Sequence, residues 1–197
     1  MRSEMVVCSW NEFWQHYSPW IPSHEVVQQG VSTLQACGFL DGNKWAEDVD
    51  PNRGPIENTA FRPLEHASKE LEGMAITGRE KSYRLVHRPT QVALSTIPAG
   101  NHMIDGCVYP IKDFPEDPKA PLEMRRIASV HEYKRASGPK HVHDASLSNL
   151  FHRSWLTDIR QNRLKAVSAA NYVMNKNPER MFIYGVTMLR YLVRAVT

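Results

Sequence analysis

The sequence predicts an α/β fold in which a mixed sheet is flanked by helices, with a smaller helical appendage in front of it. Three observations predict this class: two apolar stripes at helical spacing, short β-branched and aromatic runs between them, and a last strand-like run after the second stripe. These stretches are, in order, the stripe at 60–75, the runs at 81–114 and 126–135, the stripe at 164–174 and the run at 181–187. The order from residue 57 onward is therefore helix, two or three strands, helix and strand.

Residues 1–50 are predicted to form the helical appendage, and residues 51–197 the α/β domain. Aromatic side chains recur at helical spacing between Trp10 and Tyr17, and a second apolar stripe runs from Val26 to Cys37. A proline- and glycine-containing breaker at 51–55 then separates the two parts. Because many exposed tryptophans would promote aggregation, we expect the aromatic stripe to pack against the sheet domain.

Composition narrows the class of protein. Of the 197 residues, 42% are hydrophobic and 23% charged, which is typical of a globular domain. No run of about 18 apolar residues predicts a spanning helix, and the first residues do not resemble a secretory signal, so a nuclear or cytoplasmic location is expected. The three cysteines have no CxxC spacing, so they predict no structural zinc site. The net charge of +3 permits a nucleic acid partner without requiring one.

Two acidic residues mark neighbouring strand-like segments. Asp105 lies in the first segment, and Glu132 and Lys134 lie in the second. Side chains alternate between faces along a strand, so Glu132 and Lys134 are predicted to project from the same face. If the strand beside Asp105 pairs with the second segment, two carboxylates and one ammonium group converge.

Such a group suits metal-assisted hydrolysis of a phosphodiester. Carboxylate oxygens bind hard divalent cations, which acidify water and neutralise phosphate charge, and a lysine can orient the water or stabilise the transition state. Glu57, at the start of the preceding helix, is a further candidate carboxylate. The alternative is that Glu132 and Lys134 form an ordinary solvated pair on the sheet surface.

Four blocks of sequence resemble the N-terminal region of the fungal-type protein kinase domain family. That region carries a Glu-x-x-x-Tyr/Phe-x-Pro-Leu stretch, a Pro-Asp-Gly motif, a Trp-x-x-Ile-x-x-x-x-Glu-Phe-Lys segment and an Ile-Met-x-x-Asp-Pro-x-Arg-Arg-Phe-x-x-Gly-x-Thr ending. The corresponding blocks here are IENTAFRPL at 56–64, IDG at 104–106, RIASVHEYK at 126–134 and VMNKNPERMFIYGVT at 173–187. They occur in the same order and span about two thirds of the chain.

The resemblance implies a PD-(D/E)XK nuclease-like core over much of residues 57–187. Carried over residue by residue, it implies a catalytic site of Asp105, Glu132, Lys134 and Glu57. Asp105 and Glu132 would bind magnesium or manganese. The implied function is metal-dependent hydrolysis of nucleic acid phosphodiesters. The alternatives are a non-catalytic binding remnant of the kinase family, or the same pocket recruited to small-molecule chemistry.

Kinase activity is not expected. The sequence contains no glycine-rich phosphate loop, no His-Arg-Asp catalytic loop and no Asp-Phe-Gly.

Basic residues cluster beside the helix predicted at 164–174, where they are candidates for binding the phosphates of DNA or RNA. These residues are Arg153, Arg160, Arg163 and Lys165. The alternative reading of the cluster is a solvated, charged helix face.

Overall fold

The protein is described by a computed structural model that covers residues 9–17, 20–50, 57–76, 79–95, 102–117, 119–134, 161, 163–176, 183–189 and 192–196. The helices are α1 (Trp10–Tyr17), α2 (His24–Ala36), α3 (Glu57–Ala60), α4 (Arg62–Glu72) and α5 (163–176). The strands are β1 (Leu40–Asp41), β2 (Lys44–Trp45), β3 (Tyr83–His87), β4 (Val92–Ala93), β5 (His102–Met103), β6 (Gly106–Pro110), β7 (Ser129–Lys134), β8 (Tyr184–Leu189) and β9 (Leu192–Val196). The predicted α/β class is confirmed at this level. None of the helices in the described ranges is both long enough and apolar enough to cross a bilayer.

The central sheet has five strands in the order β3-β6-β7-β8-β9. All neighbours are antiparallel except β7 and β8, which pair in parallel. Parallel neighbours need a crossover connection, and α5 lies in the connection from β7 to β8. Two short antiparallel pairs, β1-β2 and β4-β5, lie outside this sheet.

The two faces of the sheet are covered by different helices. Val130 of β7 lies in one buried cluster with Ala169 and Val173 of α5. Phe61, between α3 and α4, packs in a second buried cluster with Tyr133 of β7. Because neighbouring residues of a strand point to opposite faces, even-numbered residues of β7 face α5 and odd-numbered ones face α3 and α4.

The helix predicted at 60–75 is divided into two helices. We expected a single stripe from Ala60 to Ala75, but α3 ends at Ala60, Phe61 forms a turn and α4 begins at Arg62. Pro63 explains the break, since it lacks an amide hydrogen and is tolerated in the first turn of a new helix. Gly73 caps the end of α4, two residues before the predicted stripe ends at Ala75.

The appendage contacts the rest of the chain but is not wholly helical. Phe13 of α1 makes an edge contact with Tyr184 of β8 at a centroid distance of 5.8 Å, as expected for the aromatic stripe. The side chains of Trp10 and Trp14 lie outside the described part. The prediction of an all-helical appendage is wrong at β1 and β2, which form a hairpin around Gly42, whose φ of 58° suits a tight turn.

The strand predicted at 126–135 starts later than expected. Met124–Arg126 form a 3-10 turn, and β7 begins only at Ser129. Met124, Ile127 and Val130 are all fully buried in one core at a spacing of three, which a period-two reading of the sequence misses. At the other end of the chain, β9 was not predicted at all.

Candidate functional site

The candidate site lies where β6 and β7 stop pairing. The last paired residues are Gly106 of β6 and His131 of β7. One step beyond this pair, Asp105 lies in the bend that precedes β6, and Glu132 is the next residue of β7. Glu132 lies on the face of β7 that α5 covers.

Asp105 is fixed by contacts to two strands. It lies in the bend between β5 and β6, so the expectation that it is part of the neighbouring strand is off by one residue. Its Oδ2 accepts a hydrogen bond of 2.7 Å from the backbone N–H of Tyr133, and its carbonyl accepts one of 3.0 Å from the N–H of Arg88. The carboxylate thus takes the place of a ladder carbonyl at the backbone of Tyr133, the residue that follows Glu132.

Glu132 is a buried carboxylate. The residue is 1% exposed, and its Oε2 lies 3.8 Å from Nζ of Lys165, on the first turns of α5. An ionised group in so buried a position is stable only with opposite charge or hydrogen bonds nearby. The ammonium group of Lys165 supplies such a charge, so this predicted nucleic-acid contact is also an ion-pair partner of a predicted catalytic residue.

Two polar residues near Glu132 were not foreseen. Thr187 of β8 is opposite Glu132 in the parallel register and is 3% exposed. It belongs to the Gly-x-Thr that ends the fourth sequence block, which was the available signal. His102 of β5 lies against Tyr172 of α5, with ring centroids 5.8 Å apart. Burial, and secondly the positive charge of Lys165, lower the pKa of His102, so a neutral imidazole stands near the ion pair.

The opposite face of β7 carries a neutral polar chain. Ser129 Oγ and His131 Nε2 share a hydrogen bond of 2.8 Å, and His131 Nδ1 shares one of 3.0 Å with the hydroxyl of Tyr133. Burial lowers the pKa of His131 to about 4 and raises the pKa of Tyr133 well above its ordinary value. All three residues are therefore uncharged near neutral pH.

The structure describes the other predicted site residues to different extents. Lys134 is the last residue of β7, two positions after Glu132, and its side chain lies outside the described part. Glu57 begins α3, which packs with Phe61 on the Tyr133 side of the sheet; its side chain is likewise outside that part. Arg163 is half-buried in the first turn of α5. Arg153 and Arg160 lie outside the described residues.

Asp105 and Glu132 are the candidate ligands for a divalent cation that takes only a few of its ligands from the protein. Within the described ranges, no three histidine, cysteine, aspartate or glutamate side chains come together as a metal-binding group. Magnesium sites in proteins commonly use one or two carboxylates and complete the shell with water and substrate phosphate. Asp105 and Glu132 could supply that number of carboxylates, whereas a site made wholly of protein ligands would need more donors.

Comparison with known proteins assigns the chain to no family. No protein-family model matches the sequence, and neither a curated protein nor a solved structure matches it.

Proposed function

We propose that this protein is a magnesium-dependent, PD-(D/E)XK nuclease-like module that hydrolyses phosphodiesters of DNA or RNA. The observation that carries the proposal is the hydrogen bond from the N–H of Tyr133 to the Asp105 carboxylate, which fixes Asp105 to the strand that carries Glu132 and Lys134. The sequence blocks imply a site made of these two carboxylates and this lysine.

The order of elements supports the same proposal. From α4 the chain runs through β3, β6 and β7, crosses over through α5 and returns as β8 beside β7. This agrees with the order of helix, two or three strands, helix and strand that the sequence pattern predicts. The short β4-β5 pair is an insertion between the first two strands of that core. The resemblance to the kinase family's N-terminal region is part of the proposal.

Each residue has a role that its surroundings allow. Asp105 and Glu132 hold the cation through carboxylate oxygens, and Glu132 is kept in place by its burial under α5. When bound, the cation supplies a Lewis acid that acidifies water and offsets negative charge on the phosphate. Lys134 orients the attacking water or stabilises the developing oxyanion. Arg163 and Lys165, both on α5, contact the substrate backbone.

Calorimetric titration of Mn²⁺ tests the proposal before any nuclease assay. The wild type is expected to bind one ion, while Asp105→Ala and Glu132→Gln are expected to lose binding. Glu80→Gln, which removes an exposed carboxylate ahead of β3, is the control and is expected to bind as the wild type does. Equal binding in the wild type and Asp105→Ala would refute the site.

Cleavage of labelled DNA and RNA with Mg²⁺ or Mn²⁺ follows. Asp105→Ala and Glu132→Gln should abolish cleavage, because each removes a ligand of the cation. Lys134→Ala should keep the ion and slow cleavage by about two to three orders of magnitude, the usual loss for one transition-state stabilising group. Equal residual cleavage by the wild type and Glu132→Gln would show contamination or another site.

The second candidate is a non-catalytic binding module descended from the same core. The observation that favours it is Lys165 Nζ at 3.8 Å from Glu132, because an ammonium group beside a buried carboxylate is also what a site without a metal would contain. This candidate predicts no Mn²⁺ binding by the wild type. Under it, nucleic acid or protein binding would be unaffected by metal.

A further inference from the structure

The pair of Lys165 and Glu132 is asymmetric. The side chain of Glu132 is 2% exposed, whereas that of Lys165 is 56% exposed. Their charged atoms are 3.8 Å apart, which is within ion-pair range but longer than a charged hydrogen bond. The carboxylate is therefore the fixed partner, and the lysine approaches it from the solvent side.

Lys165 reaches Glu132 from a firmly held helix. Its neighbours Ala166 and Ala169 are buried against the sheet at 1% and 0% exposure, so the backbone of α5 is anchored here. The lysine side chain, in contrast, is a flexible four-carbon stem that carries a strongly hydrated charge. The ammonium group can swing by several ångströms while the helix stays in place.

A divalent cation and the ammonium group compete for the same carboxylate. Like charges a few ångströms apart repel each other strongly in a partly buried site. The ammonium group displaced from Glu132 remains next to the site, and its charge matches that of a phosphate. Lys165 thus has two alternative partners of the same sign: the carboxylate of Glu132 and a phosphate of the substrate.

We propose that Lys165 is a charge-exchange residue that couples cation binding to phosphate binding. It pairs with Glu132 in the cation-free protein and contacts a substrate phosphate once Asp105 and Glu132 hold a divalent cation. The proposal rests on the proposed function, since it assumes that these two carboxylates bind the cation. Because binding energies are linked, a cation that frees Lys165 strengthens phosphate binding, and a phosphate that holds Lys165 strengthens cation binding to the same extent.

Titration of Mn²⁺ into wild type and Lys165→Met tests the first half of the exchange. The variant lacks the competing charge, so its dissociation constant for Mn²⁺ is expected to fall about tenfold. Lys69→Met is the matched control: Lys69 is 49% exposed and pairs with Glu65 of α4 at 3.2 Å, on a helix that covers the face of β7 opposite to Glu132. It is expected to leave Mn²⁺ binding unchanged. Equal dissociation constants for wild type and Lys165→Met would overturn the exchange.

Binding of a fluorescent phosphorothioate DNA oligonucleotide tests the second half. In the wild type, Mn²⁺ is expected to tighten oligonucleotide binding about tenfold, and in Lys165→Met this gain is expected to disappear. Arg163→Met should weaken binding with and without Mn²⁺ alike, so the gain should persist. A full gain in Lys165→Met would overturn the proposal.

The two proposals fail in different ways. Mn²⁺ binding that Lys165→Met strengthens, without any cleavage of DNA or RNA, would support the exchange and refute the nuclease. Mn²⁺-dependent cleavage with no effect of Lys165→Met on either titration would support the nuclease and refute the exchange. If neither the wild type nor Lys165→Met binds Mn²⁺, both proposals are overturned.

Discussion

The two faces of β7 stabilise their buried polar groups in different ways. On the face toward α3 and α4, Ser129, His131 and Tyr133 satisfy one another through two hydrogen bonds and stay neutral. On the face toward α5, Glu132 is buried beside the amine of Lys165. One face of β7 thus carries three neutral side chains that hydrogen-bond to one another. The other face carries a carboxylate, and an ammonium group approaches it from the solvent side.

This difference separates a structural polar group from an exchangeable one. The neutral chain lies within a single strand, so its geometry is set by the pleat and it gains nothing from an external ligand. Lys165, the ion-pair partner shown for Glu132, comes from another element and is more than half exposed, so under the proposed exchange a cation would replace it. Burial alone therefore does not mark an exchangeable group; the origin and exposure of its counter-charge do.

The largest loss in the free energy of unfolding is expected when the ring of Tyr133 is removed from the face toward α3 and α4. Tyr133 is 3% exposed and stacks on Phe61 at a centroid distance of 4.8 Å, so Tyr133→Ala should lower the free energy of unfolding by about 3–5 kcal/mol. Tyr133→Phe keeps the ring and should cost only about 1 kcal/mol for the hydroxyl's hydrogen bond. Urea denaturation measures both. Similar losses in the two variants would mean that the hydrogen-bonded chain, and not the packing, stabilises this face.

The second-largest loss of stability is expected from a substitution at Gly106, where β6 lies close to Tyr133. A Cβ added at Gly106 would lie 3.0 Å from the hydroxyl of Tyr133 and 3.0 Å from the carbonyl of Val86, so Gly106→Ala should destabilise the fold by about 1–3 kcal/mol. Gly30→Ala in α2 is the control, because its Cβ would first meet Leu71 at 3.4 Å and alanine favours the helix. Urea denaturation in which both variants keep wild-type stability would show that this face tolerates overpacking.

The third effect is a pH dependence from the neutral face. The pKa of His131 is lowered to about 4 by burial, against about 6.5 in an unfolded chain, so the unfolded chain takes up the proton first as pH falls. The free energy of unfolding should be level above pH about 6.5. It should then fall by up to about 1.4 kcal/mol per unit down to about 4. In His131→Gln, denaturation at stepped pH should show a shallower slope; an unchanged slope would assign the loss to other groups.

The smallest effect is expected on the charged face. Lys165 is 56% exposed, so its attraction to Glu132 is screened by water, but Lys165→Met leaves a buried carboxylate with less opposite charge; the variant should lower the free energy of unfolding by about 1 kcal/mol. Thermal denaturation with and without Mn²⁺ measures this. A loss comparable to that of Tyr133→Ala would make the ion pair structural, and the contrast between the two faces would disappear.

Regular periodicity carried most of the correct predictions. The stripes behind α2, α4 and α5 and the runs behind β3, β6 and β7 are local patterns, because each element repeats its own burial over a few residues. The misses are places where distant residues decide. Met124 and Ile127 are buried at a spacing of three by packing under the sheet, and β9 forms because β8 offers it an edge.

The sequence by itself determined the α/β class, the element order and the shared strand of Glu132 and Lys134, because helical and strand periods are properties of neighbouring residues. Only the tertiary structure decided that the Asp105 carboxylate is held by the N–H of Tyr133 and that Lys165 is an ion-pair partner of Glu132. Those contacts join residues some 28 to 33 positions apart, and their geometry depends on sheet register and on the seating of α5. Register and helix docking are settled by the whole core at once, so a local pattern cannot encode them.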